Sequence, residues 1–188
     1  MGKSVRSLTI AVAVAMAAAA AVSSSASPAL AKSGAELSSA AAASLKQLYA
    51  KQSSARVLGQ KATAILVFPS ILKAGFLFGG QIGEGALFKN GRTVAYYSSV
   101  GASYGLQAGV QTYGYALFFM NQKALDYLNS SQGFEIGVGP SVVVMDKGMG
   151  KSATSTTALE DVYAFIFDQR GLMAGMGIQG NKLTRISK

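Results

Sequence analysis

The chain has 188 residues, half of them apolar and only 13% charged, the balance of a folded protein with one sizeable core. It carries a net charge of +9, no cysteine and no histidine. Those absences exclude disulfides, a cysteine-anchored lipoprotein, Ser-His-Asp and Cys-His catalysis, and zinc sites built on histidine.

Residues 1–31 have the layout of a secretory signal. Lys3 and Arg6 precede an apolar run from Leu8 to Val22, and Ala29-Leu30-Ala31 supplies a small-residue cleavage site. That run is short for a helix that spans a bilayer. Cleavage after Ala31 is expected, with an uncleaved anchor as the rival. A periplasmic or secreted place, peripheral to a membrane, follows. Two of the seventeen cations lie in this leader, so the other fifteen face eight acids and residues 32–188 carry a net +7. Nucleic acid is not an expected partner of an exported chain; an anionic lipid surface is the natural one.

Residues 33–60 are rich in Ala, Leu, Lys and Gln and predict one amphipathic helix. Leu37, Ala41, Leu45, Leu48 and Ala55 share a side, Ser33 and Glu36 form a capping box, and Gly59 is the stop. ATAILVFPS predicts a strand ended by Pro69. From Gly75 the period is two, with Phe76, Phe78, Ile82, Ala86 and Phe88 on one face and mostly glycine, with Gln81, on the other. Asn90-Gly91 predicts a hairpin turn into a long alternating return strand. Residues 121–131 predict a short helix capped by Asn121. FEIGVGPSVVVMD predicts a strand pair or a bent strand. EDVYAFIFD predicts a central strand turned by QRG, and LMAGMGIQGNKLTRI a last edge with a Gly180-Asn181 turn. Residues 32–60 thus form the helical part, and 61–188 the β-rich part, of one domain. The fold class is α+β, mainly β: a curved, Gly-rich antiparallel sheet, open or barrel-like, behind the N-terminal helix.

GGQIGEG leads into another strand segment and a hairpin turn, whereas a phosphate loop joins a strand to a helix. These glycines therefore serve shape. GMGKS at 148–152 lacks the first glycine of a Walker loop and the helix that must follow, so it is read as a basic loop. The eight acids are scattered, so neither a metal site nor a carboxylate pair is expected, and no cofactor. Glu84, alone inside a glycine-rich strand, is read as a salt-bridge partner or a solvated residue, with a site residue as the rival. The basic residues point elsewhere. Lys46, Lys51, Arg56 and Lys61 punctuate the helix and its exit, and Lys73 follows Pro69; the pattern fits a helix that lies on a membrane interface, and it fits equally a helix whose leucine face packs on the sheet with its lysines in water.

AILVFPSILKAGFLFGGQIGEGAL, GRTVAYYSSVGASYGLQAGVQTYGYALFFMNQKALDYL, FEIGVGPSVVV and VYAFIFDQRGLMAGMGIQGNKLTRI resemble, in order, the SYLF domain, also called the yeast actin-binding domain family. The resemblance covers about residues 40–188, with KAGFLFGG and FDQRGLMAG its most specific pieces. It implies a non-catalytic, phospholipid-binding domain whose N-terminal helix and basic residues meet the membrane. It implies actin bundling in the yeast branch, which an exported chain does not reach. On this resemblance Lys46, Lys51, Arg56, Lys61 and Lys73 are the lipid-binding candidates, with an envelope protein as the alternative partner. A third reading is an apolar ligand held inside a closed barrel.

Overall fold

The computed structural model describes residues 32–130, 134–135, 140–145, 160–171 and 181–188, and among these lie three helices and six strands. The leader-like segment, the GMGKS loop and the Gly180 turn position fall outside them.

Helix α1 spans Gly34–Lys51 and α2 spans Ser53–Lys61. The capping box is present: the Ser33 hydroxyl accepts from the Glu36 amide, and the Glu36 carboxylate accepts from the Ser33 amide at 2.8 Å. These bonds hold the Glu36 carboxyl below its ordinary pKa, the Ser33 backbone N–H first among them. The expected single helix is broken at Gln52, whose backbone is extended (φ −133°, ψ 109°). In an unbroken helix Leu58 would sit about 80° round from Leu48. The break lets Leu58 turn, with Ala55, to the same sheet that buries Leu48.

Strands β1 (Ala64–Lys89) and β2 (Arg92–Phe119) form one hairpin far longer than an ordinary strand pair. The turn is Asn90-Gly91, both at positive φ (51° and 74°), the geometry that Asn-Gly favours. Pro69 does not end β1. It sits in an irregularity where Pro69 and Ser70 oppose Gly114, on a strand that pairs only with β2 among the described residues, where proline's missing N–H costs no ladder bond. A hairpin of this length must bend, and it folds back on itself. A Cβ at Gly83 would lie 2.8 Å from the Ser70 carbonyl oxygen, and one at Gly85 2.7 Å from that of Val67. Glycine here permits backbone-to-backbone contact, which answers for GGQIGEG.

Helix α3 (Gln122–Leu128) follows, capped by Asn121, whose side chain accepts from the Ala124 amide at 2.9 Å. Strand β5 (Val162–Gly171) is central, between β2 and β4 (Val142–Met145). The QRG segment does not turn the chain: β5 runs on to Gly171 through a bulge in which Asp168, at φ 50°, and Gln169 oppose Tyr113. Strand β6 (Asn181–Ile186) is not an edge but lies between β2 and β3 (Phe134–Glu135). FEIGVGPSVVV thus supplies β3 and β4 on opposite borders of the sheet instead of one pair. The sheet is antiparallel except for β4 with β5, and its order, β3-β6-β2-β5-β4 with β1 also on β2, is open and not a closed barrel.

The inner core gathers Leu66, Phe68, Ile71, Tyr115 and Leu117 with Leu125 and Leu128 of α3. A second core packs Ala41, Leu48, Ala55 and Leu58 of the helices on Ile65, Val67, Ala116, Phe118 and Phe165. Phe118 meets Phe165 edge-on, with centroids 5.0 Å apart.

Candidate functional site

The helix pair lies on the sheet by its apolar side, so its water-facing side is polar and basic. Lys46, Lys51, Arg56 and Lys61 are all exposed there. The predicted amphipathic helix is present, but its leucines belong to the core and not to an external interface: Leu37 and Leu48 are buried and Leu45 is partly so. The Lys51 ammonium lies 2.5 Å from the Asp168 carboxylate, which the bulge in β5 turns toward α1. Arg56 donates to the Tyr49 carbonyl oxygen at 3.0 Å, satisfying one of the last carbonyls of α1.

Lys73 is a correction. It is 2% exposed, on the inner face of β1, paired in register with Gln111. Beyond the Pro69 irregularity the alternation buries Ile71 and Lys73 and exposes Leu72 and Ala74. Lys73 therefore takes no part in the exposed basic surface. It marks a polar interior that the sequence reading missed. There Tyr113 donates to Gln81 Oε1 at 2.7 Å, and the Gln81 amide donates to Asn181 Oδ1. Burial pushes the Tyr113 phenol up to about 12 and raises the Tyr115 phenol well above its ordinary value. The signal was available in the glutamines of the glycine-rich face, but periodicity does not say which face is inside.

A groove of about 520 Å³ opens beside the basic surface, between α1, α2 and the two ends of β1. Leu45, Tyr49, Ile65 and Phe88 give it apolar walls, and Lys46, with Gln60 and Asn90, its polar lining. Gly59 is part of its construction, because a Cβ there would collide with the Tyr49 phenol. No local signal in the sequence marks the groove, since it joins residues 42 to 91 through the bend of the hairpin.

Among the described residues no group of acids could hold a metal ion, and no helix is long and apolar enough to cross a membrane. Glu84 has the expected ion-pair partner, Lys188, at 2.8 Å. No curated protein matches the chain. Residues 100–187 match the family model described as Ysc84, Las17-binding protein actin regulator. That span holds most of β2 and all of α3, β3, β4, β5 and β6, and includes FDQRGLMAG; the match agrees with the SYLF resemblance that the motifs carry.

Proposed function

We propose that this is a non-catalytic binding protein that associates with anionic phospholipid through the basic side of its helix pair. One observation carries the reading: Lys46, Lys51, Arg56 and Lys61 all face water on helices whose apolar side is buried. Such a surface attracts head-group phosphates at roughly 1 kcal/mol per cation, screened by salt. With the leucines in the core, contact is electrostatic and reversible and does not depend on insertion of α1. The family description names binding and regulation, not a reaction. In an exported chain a lipid surface takes the place of cytosolic partners, so the reading includes removal of residues 1–31 and a peripheral place on the envelope membrane. N-terminal sequencing of protein from cell fractions checks that part.

The experiment is co-sedimentation with phosphatidylglycerol vesicles across a salt series. Binding weakens as salt rises, and Lys46→Glu with Lys51→Glu weakens it further. Salt-independent binding that ignores both changes rejects the reading.

A second reading, a protein-interaction module, is favoured by exposed apolar residues on the outer face of the hairpin, Ile82 (56%) and Val110 (57%) among them. A defined envelope partner lost on Ile82→Ser with Val110→Ser, together with flat vesicle titrations, selects it.

A further inference from the structure

We infer that the groove between α1, α2 and the hairpin turn is a binding site for a single anionic phospholipid molecule, seated with its phosphate at Lys46 and the first part of its acyl chains against Leu45, Tyr49 and Phe88. The occupant's identity rests on the lipid reading above; the site rests on its own geometry.

Three features of the groove point to one bound amphiphile instead of a flat contact. The first is size. At about 520 Å³ it falls within the range of small-molecule pockets, roughly 300–1,000 Å³. The second is a division of chemistry. Leu45, Tyr49, Ile65 and Phe88 present apolar surface that the two cores leave only partly covered or at their margin. Beside them the lining includes one cationic residue, Lys46, and two amide residues, Gln60 and Asn90. An inorganic anion would satisfy Lys46 and leave those walls wet, and a neutral hydrocarbon would do the reverse. A phospholipid satisfies both at once, because apolar contact and a charge-assisted hydrogen bond are both present in one molecule.

The third feature is charge. No acid lines the groove. Lys61 closes α2 at one end of it, and Lys89 and Arg92 flank the Asn90-Gly91 turn at the other. Two acids that could offset this field are engaged elsewhere, Asp168 with Lys51 and Glu84 with Lys188. The walls are also shaped in advance. The break at Gln52 folds α2 back beside α1, and Gly59 leaves room for the Tyr49 ring, which is braced against Phe118 with centroids 6.3 Å apart. Preformed walls reduce the ordering cost of binding.

The test uses the purified protein and dihexanoyl phosphatidylglycerol kept below its micelle-forming concentration, read by titration calorimetry. Inorganic phosphate and phosphatidylglycerol vesicles are the comparison arms. Expected is saturable one-to-one binding of the monomeric lipid, at least about tenfold tighter than phosphate and weakened about tenfold by Ala42→Trp, which fills the groove from an exposed position. Lys46→Gln, also at an exposed position, gives an independent loss if the tryptophan variant misfolds. No saturable binding of monomer, binding that neither variant changes, or phosphate binding as tightly as the lipid overturns the proposal. Vesicle binding without monomer binding removes the groove and leaves the surface reading. Monomer binding blocked by Ala42→Trp, with flat vesicle titrations, keeps the groove and removes the surface reading.

Discussion

Near the helices, the β1–β2 hairpin is apolar on both sides: Leu66, Phe68, Tyr115 and Leu117 face inward, and Ile65, Val67, Ala116 and Phe118 lie under α1 and α2. Toward its bend the same two strands bury Lys73, Gln81, Ser99 and Gln111 and expose Leu72, Ile82, Val100 and Val110. Both halves alternate with period two. They differ in what covers each face. The near half is sandwiched between helices and an inner core, while the far half has polar side chains inside and, among the described residues, no helix packed on its outer valines. The near half is built for stability, and the far half, with the groove at the helix end, leaves surface for binding. Burial by tertiary neighbours, not the alternation itself, decides which chemistry is tolerated on which face.

The comparison breaks most sharply at paired substitutions. Phe118→Ala opens a cavity in the outer core of the near half and is expected to cost about 3–5 kcal/mol, read from urea unfolding. Ile82→Ser and Val100→Ser, in exposed cross-strand register, should each stay within about 0.5 kcal/mol of the parent. Similar losses in the two halves would mean that the outer valines are covered in solution.

The polar interior gives a smaller effect. Gln81→Ala removes the acceptor of the Tyr113 hydroxyl and the donor to Asn181 Oδ1 from a buried site and should cost about 1–3 kcal/mol. The same region sets an alkaline limit. Burial raises the Tyr113 phenol from 10.0 to about 12, and a raised folded value means that its contribution is complete below the unfolded value and lost as pH climbs through the folded one. Unfolding monitored by circular dichroism should therefore become easier between pH 10 and about 12. A flat stability profile through that window would place Tyr113 in contact with solvent.

At the acid end, Asp161 accepts from the Asn121 amide at 2.7 Å and from the Ser141 backbone N–H at 3.2 Å, and these bonds, Asn121 first, hold its carboxyl below the ordinary 3.8. A depressed folded value contributes stability above the unfolded one and loses it as pH falls through the folded one. Thermal unfolding of the parent and of Asp161→Ala should thus differ by a few degrees at neutral pH and converge below about pH 3.8. Unequal midpoints in acid would show that the carboxylate charge is not what Asp161 supplies.

Much of the scaffold was legible because its signals are local. Ser33 with Glu36, Asn121, and Asn90-Gly91 each act within three or four residues, and each does what its chemistry predicts. What was not legible depends on distant partners. Pro69 is tolerated because it falls in an irregularity of the β1–β2 ladder, and Gln52 breaks the helix where Leu58 has a sheet to reach. Lys73 read as one more exposed cation because nothing within a few residues of it says that the alternation beyond Pro69 turns it inward. Of the candidate site, the four helix cations were visible in the sequence; the groove was not, because it exists only once the ends of β1 meet.

The smallest structural effect belongs to the Lys51–Asp168 pair, which joins α1 to the bulge of β5. Lys51 is 61% and Asp168 26% exposed, so solvent screens the pair, and its contribution falls at the low end of about 0–1 kcal/mol. Asp168 also sits at φ 50°, a conformation asparagine tolerates about as well as aspartate. Asp168→Asn should therefore leave the unfolding midpoint nearly unchanged while removing the counter-charge of Lys51. If the helix pair meets anionic lipid through its cations, that variant binds phosphatidylglycerol vesicles more tightly than the parent at low salt, and the gain fades as salt screens the added field. Lys51→Gln in the same background should return binding to the parent level or below. A variant that unfolds much earlier would instead make the pair a structural tie. One that folds well and binds no better would remove Lys51 from the contact surface and leave Lys46, Arg56 and Lys61 to carry it.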